Sequence, residues 1–158
     1  MLYAVLKTVH LLALIAWIGG MFFTLLCLRP ALGVLDGPSR PRLMAEVLRR
    51  FFAIVNIAIL SILVSGVLMT WLAFQSADAA GTHFAIPPAW HAMIVLGLVM
   101  MGLFGYISGT LFRRLRAALQ TQDAGAGATA LAAIRKMVTT NLVLGVIVVV
   151  AMKLGTAL

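Results

Sequence analysis

Acid and sulfur are what this chain has least of. Its 158 residues contain four carboxylates and one cysteine. A lone Cys27 excludes an intramolecular disulfide and any CxxC metal or redox motif, and it reads as a small packing residue. The acids, Asp36, Glu46, Asp78 and Asp123, all fall in or beside polar connections. No carboxylate pair is therefore placed for acid–base work, and none is placed for a proton relay through a membrane. Glycine-rich phosphate loops and Ser-His-Asp arrangements are missing as well, so any catalysis has to be carried by a cofactor.

What fills the chain is hydrocarbon: 63% of residues are hydrophobic, 10% are charged, and the mean hydropathy is +1.12. That lies outside the range of soluble domains. Four apolar stretches are long enough to cross a hydrocarbon core, which takes about 20 helical residues. Being oily on every face, they read as helices and not as the alternating strands of a barrel. The fold expected is all-α, an integral-membrane four-helix up-down bundle in a single domain over residues 1–158, with helices at roughly 3–28, 51–74, 89–116 and 135–157. The first stretch has no basic leader and no small-residue cleavage pattern, so it is expected to be a permanent helix and not a signal peptide.

The net charge of +8 is concentrated. Ten of the twelve basic residues lie in two connections, Arg29 to Arg50 and Arg113 to Lys136, and the connection from Gln75 to Pro88 has none. The positive-inside rule then places both basic connections in the cytoplasm and both termini outside, in a bacterial-type inner (plasma) membrane. Attraction to anionic lipid headgroups accounts for the charge without nucleic acid. Asp36-Gly37-Pro38-Ser39 is a turn signal, Leu43, Val47 and Leu48 form a short amphipathic lead into helix two, and Pro87-Pro88 suits the start of helix three. Residues 117–134 read as a frayed helical extension and a flexible turn.

Against this background the histidines stand out, because a titratable group inside a membrane is a functional candidate. His10 lies 19 residues before Arg29 and His91 lies 22 before Arg113. At about 1.5 Å of rise per residue, their depths differ by roughly 4–5 Å. Tyr3, Lys7, His10, Leu14, Trp17 and Met21 share one stripe of helix one. On helix three the face through His91 continues to Leu98, Gly102, Gly105 and Gly109. Two neutral imidazoles at one level, small residues beside them and a cation one turn outward suit a b-type heme, ligated by His10 and His91 and met at its propionates by Lys7 or Lys153. The plainer alternatives are an interhelical hydrogen bond for the histidines and snorkelling for the lysines. Copper is the second chemistry: His83, His91 and Met93 near the outer mouth supply ligands that suit Cu(I). A quinone near Trp17 and Trp71, a redox partner, and a homo-oligomer packed through the glycine face remain open partners.

Three segments carry a family resemblance. KTVHLLALIAWIGGMFF, RRFFAIVNIAILSILVSGVLM and PPAWHAMIVLGLVMMGLFGY resemble the first three helices of the copper resistance protein D (CopD) family, chiefly through Lys7, His10, Trp17, Gly19, Gly20, Gly66, Trp90 and His91. The same frame is similar to the HemJ-type protoporphyrinogen oxidases, which have Lys-x-x-His on helix one and a basic residue closing the last helix. The resemblance implies a membrane protein handling heme or copper, with a heme-dependent oxidoreductase as one form. HemJ-type activity itself is not expected, because Asn141-Leu142-Val143-Leu144 stands where an Asn-Glu-x-Pro signature belongs, and Tyr106-Ile107 where a Tyr-His pair belongs.

Overall fold

In hydrocarbon a backbone amide finds no water, so each must bond within its own segment, and helices result. The computed structural model describes residues 1–155 and contains four long helices: α1 (Leu2–Val34), α2 (Ser39–Ala79), α3 (Pro88–Gln120) and α4 (Ala124–Gly155). Each is long and apolar enough to cross a membrane. The expected all-α four-helix architecture is the one observed. The side chain of Lys153, an expected propionate partner, lies outside the described residues.

The helices run past the expected spans at the basic end. α2 begins at Ser39, twelve residues before the expected start, because its lead-in already has both faces a helix needs. Met44 and Leu48 are buried on one side, while Glu46 pairs with Arg49 and Arg50 at 2.7 and 2.8 Å on the other. α4 likewise starts at Ala124, where a frayed, flexible turn was expected. The Asp123 carboxylate accepts a hydrogen bond from the Ala126 amide at 2.9 Å, an N-terminal cap. Beyond the cap, Ala130 and Ile134 pack with the buried Leu115 and Ala118 of α3. The reversal between α3 and α4 needs one left-handed residue, Gln122, with φ 56°.

Two π turns interrupt the ladders, Thr24–Leu28 in α1 and Ile107–Leu111 in α3. A π turn adds one residue and rotates everything beyond it by about 100° relative to a straight helix. The second contains the Ser108-Gly109 pair, and the first is followed two residues on by Pro30, both of which loosen a helical ladder.

α1 packs along α2, α3 along α4, and α1 against α4. Lipid gives no hydrophobic reward for helix association, so close fit has to supply it. Rings and glycines provide the fit. Phe104 stands edge-on to both Trp17 (6.1 Å between centroids, 75°) and Phe52 (5.5 Å, 81°), and Phe52 is edge-on to Phe112 (5.2 Å, 88°). One aromatic cluster thus joins α1, α2 and α3. The Phe51 ring lies where a side chain on Gly20 would go, and Gly145 admits Ile18 and Met100, which would be 3.1 and 3.2 Å from a Cβ there. The outward faces carry exposed Ile57, Leu60 and Val67, as lipid contact requires.

Gly102, Gly105 and Gly109 are exposed, with no atom within 4 Å of where a Cβ would stand. Gly20→Leu is therefore expected to destabilise the protein by about 1–3 kcal/mol through overpacking against Phe51. Gly105→Leu should leave the monomer's stability unchanged. Thermal unfolding of both variants in detergent, followed by circular dichroism, checks the contrast; equal Tm values would refute the packing role given to Gly20.

Candidate functional site

Toward the end opposite the arginines, the bundle opens. α2 and α3 are tied at the basic end by Phe52 against Phe104 and Phe112, and beyond that tie they part around a cavity of about 690 Å³. All four helices contribute walls, among them His10 and Trp17 of α1, Gly66 of α2, Met93 of α3 and Gly145 of α4. Its lips are exposed side chains, Val67 on α2 and Leu98 on α3, so the cavity opens sideways toward lipid. The aromatic cluster forms its floor, with Trp17 belonging to both.

Among the described residues His10 is the one ionisable side chain in this wall. Its Nδ1 is 2.9 Å from Ser65 Oγ. The Ser65 hydroxyl donates to the Ser61 carbonyl one turn back along α2, so its single hydrogen is already used. With the hydroxyl hydrogen assigned to that carbonyl, Ser65 Oγ accepts from His10, an assignment that puts the imidazole hydrogen on Nδ1 and the lone pair on Nε2. This is the arrangement in which a metal-ligating histidine is usually held: one nitrogen anchored by a hydrogen bond, the other free to coordinate. Gly66 allows the ring to lie against α2, since a Cβ there would sit 3.6 Å from Cε1. The stripe Ser61, Ser65 and Gly66 is thus the seat of His10, and the small mildly polar residues on α2 acquire a purpose.

The expected partner is elsewhere. His91 is exposed, with its Nδ1 3.3 Å from the Pro87 carbonyl, and it is not part of the cavity wall. The neighbouring positions Trp90, Met93 and Gly97 face the cavity instead. The expected His91, Gly102, Gly105 face of α3 is an outer face; Met100, Phe104, Ile107 and Leu111 point inward. His83 in the connecting loop and Lys7 are exposed and also outside the wall. The structure therefore brings His10, Trp17 and Met93 together and does not bring His91, His83, Lys7, Gly102 or Gly105 to them. Over Pro88–Tyr106 α3 is apolar all round, so this stretch carries no amphipathic signal from which its rotation can be read.

Two buried polar groups complete the picture. Trp17 is 2% exposed and its indole Nε1 has no hydrogen-bond partner among the described residues, which leaves one donor beside the cavity. Asn141 of α4 is 1% exposed and neither end of its amide is paired. It lies one turn from Gly145, on the inward face of α4. In the sequence Asn141 figures only as part of Asn141-Leu142-Val143-Leu144, because one asparagine in an oily helix has no spacing partner to mark its face.

Comparison with known proteins adds one finding. Residues 45–154 match the family of copper resistance protein D (CopD), a span that takes in α2, α3 and most of α4. No curated protein and no solved structure matches the chain.

The Ser65 hydroxyl is expected to hold the His10 tautomer. Ser65→Ala should replace a single Nδ1–H signature in 15N imidazole spectra by a mixture of tautomers, at a cost of about 1 kcal/mol in stability. Ser65→Thr, which keeps the hydroxyl, should preserve the wild-type spectrum. An unchanged spectrum in the alanine variant would remove Ser65 from this role.

Proposed function

This chain belongs to the copper resistance protein D family, and we propose that its wide cavity binds monovalent copper, with His10 Nε2 as the anchoring ligand and thioethers from the same wall beside it. The carrying observation is the His10–Ser65–Ser61 relay, which leaves a coordinating nitrogen free in a wall that also contains Met93, Met100 and Met101. Imidazole and thioether suit Cu(I), and an apolar, acid-free cavity disfavours the hard cations that need carboxylates. Copper is here the cargo or substrate. If the basic connections face the cytoplasm, as the positive-inside rule has it, the cavity lies in the outer half of the membrane and takes copper from that side. The aromatic floor makes it a holding site and not an open pore.

A second reading is favoured by size. A cavity of about 690 Å³ is far larger than one ion fills, and a flat organic ligand such as a b-type heme, held by His10 alone and resting beside Gly66 and Gly97, uses the volume that copper leaves. Such a group would supply redox chemistry. The chain's own contribution would be one oriented imidazole, the Trp17 N–H and walls that exclude water.

Anaerobic titration of the purified protein with Cu(I) against a competing chelator is expected to give one site per chain, weakened about 100-fold or more in His10→Ala and about tenfold in Met93→Leu. Wild-type affinity in His10→Ala would rule the site out. Protein from heme-replete cells that shows a Soret band, lost in His10→Ala, would select the second reading instead.

A further inference from the structure

The opposite end of the bundle holds a second, smaller cavity of about 90 Å³, and its wall is chemically unlike the first. Three arginines from three separate segments line it: Arg29 from the end of α1, Arg40 from the start of α2 and Arg135 from the start of α4. Arg29 and Arg135 are close enough for their like charges to repel. No carboxylate is part of the wall. The nearest acid in sequence to Arg40, Asp36, forms no ion pair among the described residues and is not part of the wall, and Glu46 is already held by Arg49 and Arg50. Arg29 Nη1 is buried with no hydrogen-bond partner among the described residues.

Three guanidinium groups facing one small cavity without a counter-charge is an arrangement that folding alone disfavours. A buried, unpaired charged donor costs more than a neutral one, and like charges add to it. Fixed geometry makes the cluster more than a loose basic surface. Arg40 donates through Nε to the Leu35 carbonyl at 2.8 Å and through Nη2 to the Gly33 carbonyl at 3.0 Å, which clamps the turn before α2 and immobilises its guanidinium. Arg29 follows directly on the π turn Thr24–Leu28, whose extra residue sets the direction in which it leaves α1. Leu131, Ile134 and Val138 form an apolar side of the same cavity.

We propose that this cavity binds a phosphate group, which Arg29, Arg40 and Arg135 hold by charge-assisted hydrogen bonds. A phosphate offers several acceptor oxygens to donors arriving from different directions, and the planar guanidinium matches it. It offsets part of the cluster's positive charge and joins α1, α2 and α4 at one point. Two sources share this chemistry: the headgroup of an anionic phospholipid, whose glycerol and acyl chains would follow the apolar side, or a free phosphate in solution. The site is independent of the metal reading of the His10 cavity.

The test uses the full chain in a neutral maltoside detergent and follows Tm against three probes: dioctanoyl phosphatidylglycerol, inorganic phosphate, and dioctanoylglycerol, which lacks the phosphate. A saturable rise in Tm with phosphatidylglycerol alone assigns the lipid, and a rise with inorganic phosphate too assigns the free anion; either supports the site. Arg135→Gln should weaken the effective probe about tenfold or more while leaving the ligand-free Tm equal or higher, because it relieves repulsion with Arg29. Arg113→Gln, an exposed cation outside this wall, should bind as wild type does. Arg135 is exposed and its loss is compatible with folding, so the test does not depend on Arg29→Gln being stable. Failure of both phosphate-bearing probes, an equal rise with dioctanoylglycerol, or undiminished binding in Arg135→Gln overturns the proposal.

Discussion

The edge-to-face contact of Phe104 with Trp17 and Phe52 is the interaction on which the shape of this protein turns. In water, four oily helices would collapse along their whole length. In lipid they have no such incentive, and they hold together where side chains interlock. Here the interlock lies toward one end. Phe112 extends it to the basic side, and the Gly20–Phe51 and Gly145–Ile18 contacts close α1 against its neighbours on either hand. Beyond the rings α2 and α3 part, and the cavity of about 690 Å³ is the space they leave.

That geometry separates two chemistries along the axis. Above the aromatic floor the wall is hydrocarbon, thioether and indole, with His10 as its one ionisable group among the described residues, and its polar anchor comes from α2 through Ser65. Below it the helices emerge from the oily stretch, Leu48, Leu115 and Ile134 continue the core, and arginines gather without acids. A soft cation or a flat redox group suits the first environment and an anion the second. Neither end needs the catalytic carboxylates that the chain lacks.

The matched family span covers this division unevenly. The match to copper resistance protein D runs from residue 45 to residue 154 and so includes Ser65, Gly66 and the methionines, whereas His10 and Trp17 lie before it. The half of the site contributed by α2 and α3 is therefore the half the family comparison reaches. The anchoring imidazole comes from α1 and meets the rest only in three dimensions.

By itself the sequence determined the solvent, the secondary structure and the number of spans, because hydropathy over about 20 residues and the scarcity of charge leave no other fold in hydrocarbon. It also drew attention to His10 and His91 as paired ligands, with His83 and Met93 as a copper alternative, since polar or soft groups in an oily run are conspicuous one by one. It did not decide which way α3 faces: over Pro88–Tyr106 the helix has no moment, and the face expected to turn inward, His91, Gly102 and Gly105, is the outer one, while Met100 and Phe104 pack inward. Nor did it reveal the π turns, the cap at Asp123 that starts α4 early, or the meeting of Arg29, Arg40 and Arg135, residues far apart in the chain. Those depend on rotations and contacts between helices, which only the tertiary structure sets, because lipid stabilises every rotation of an oily helix alike.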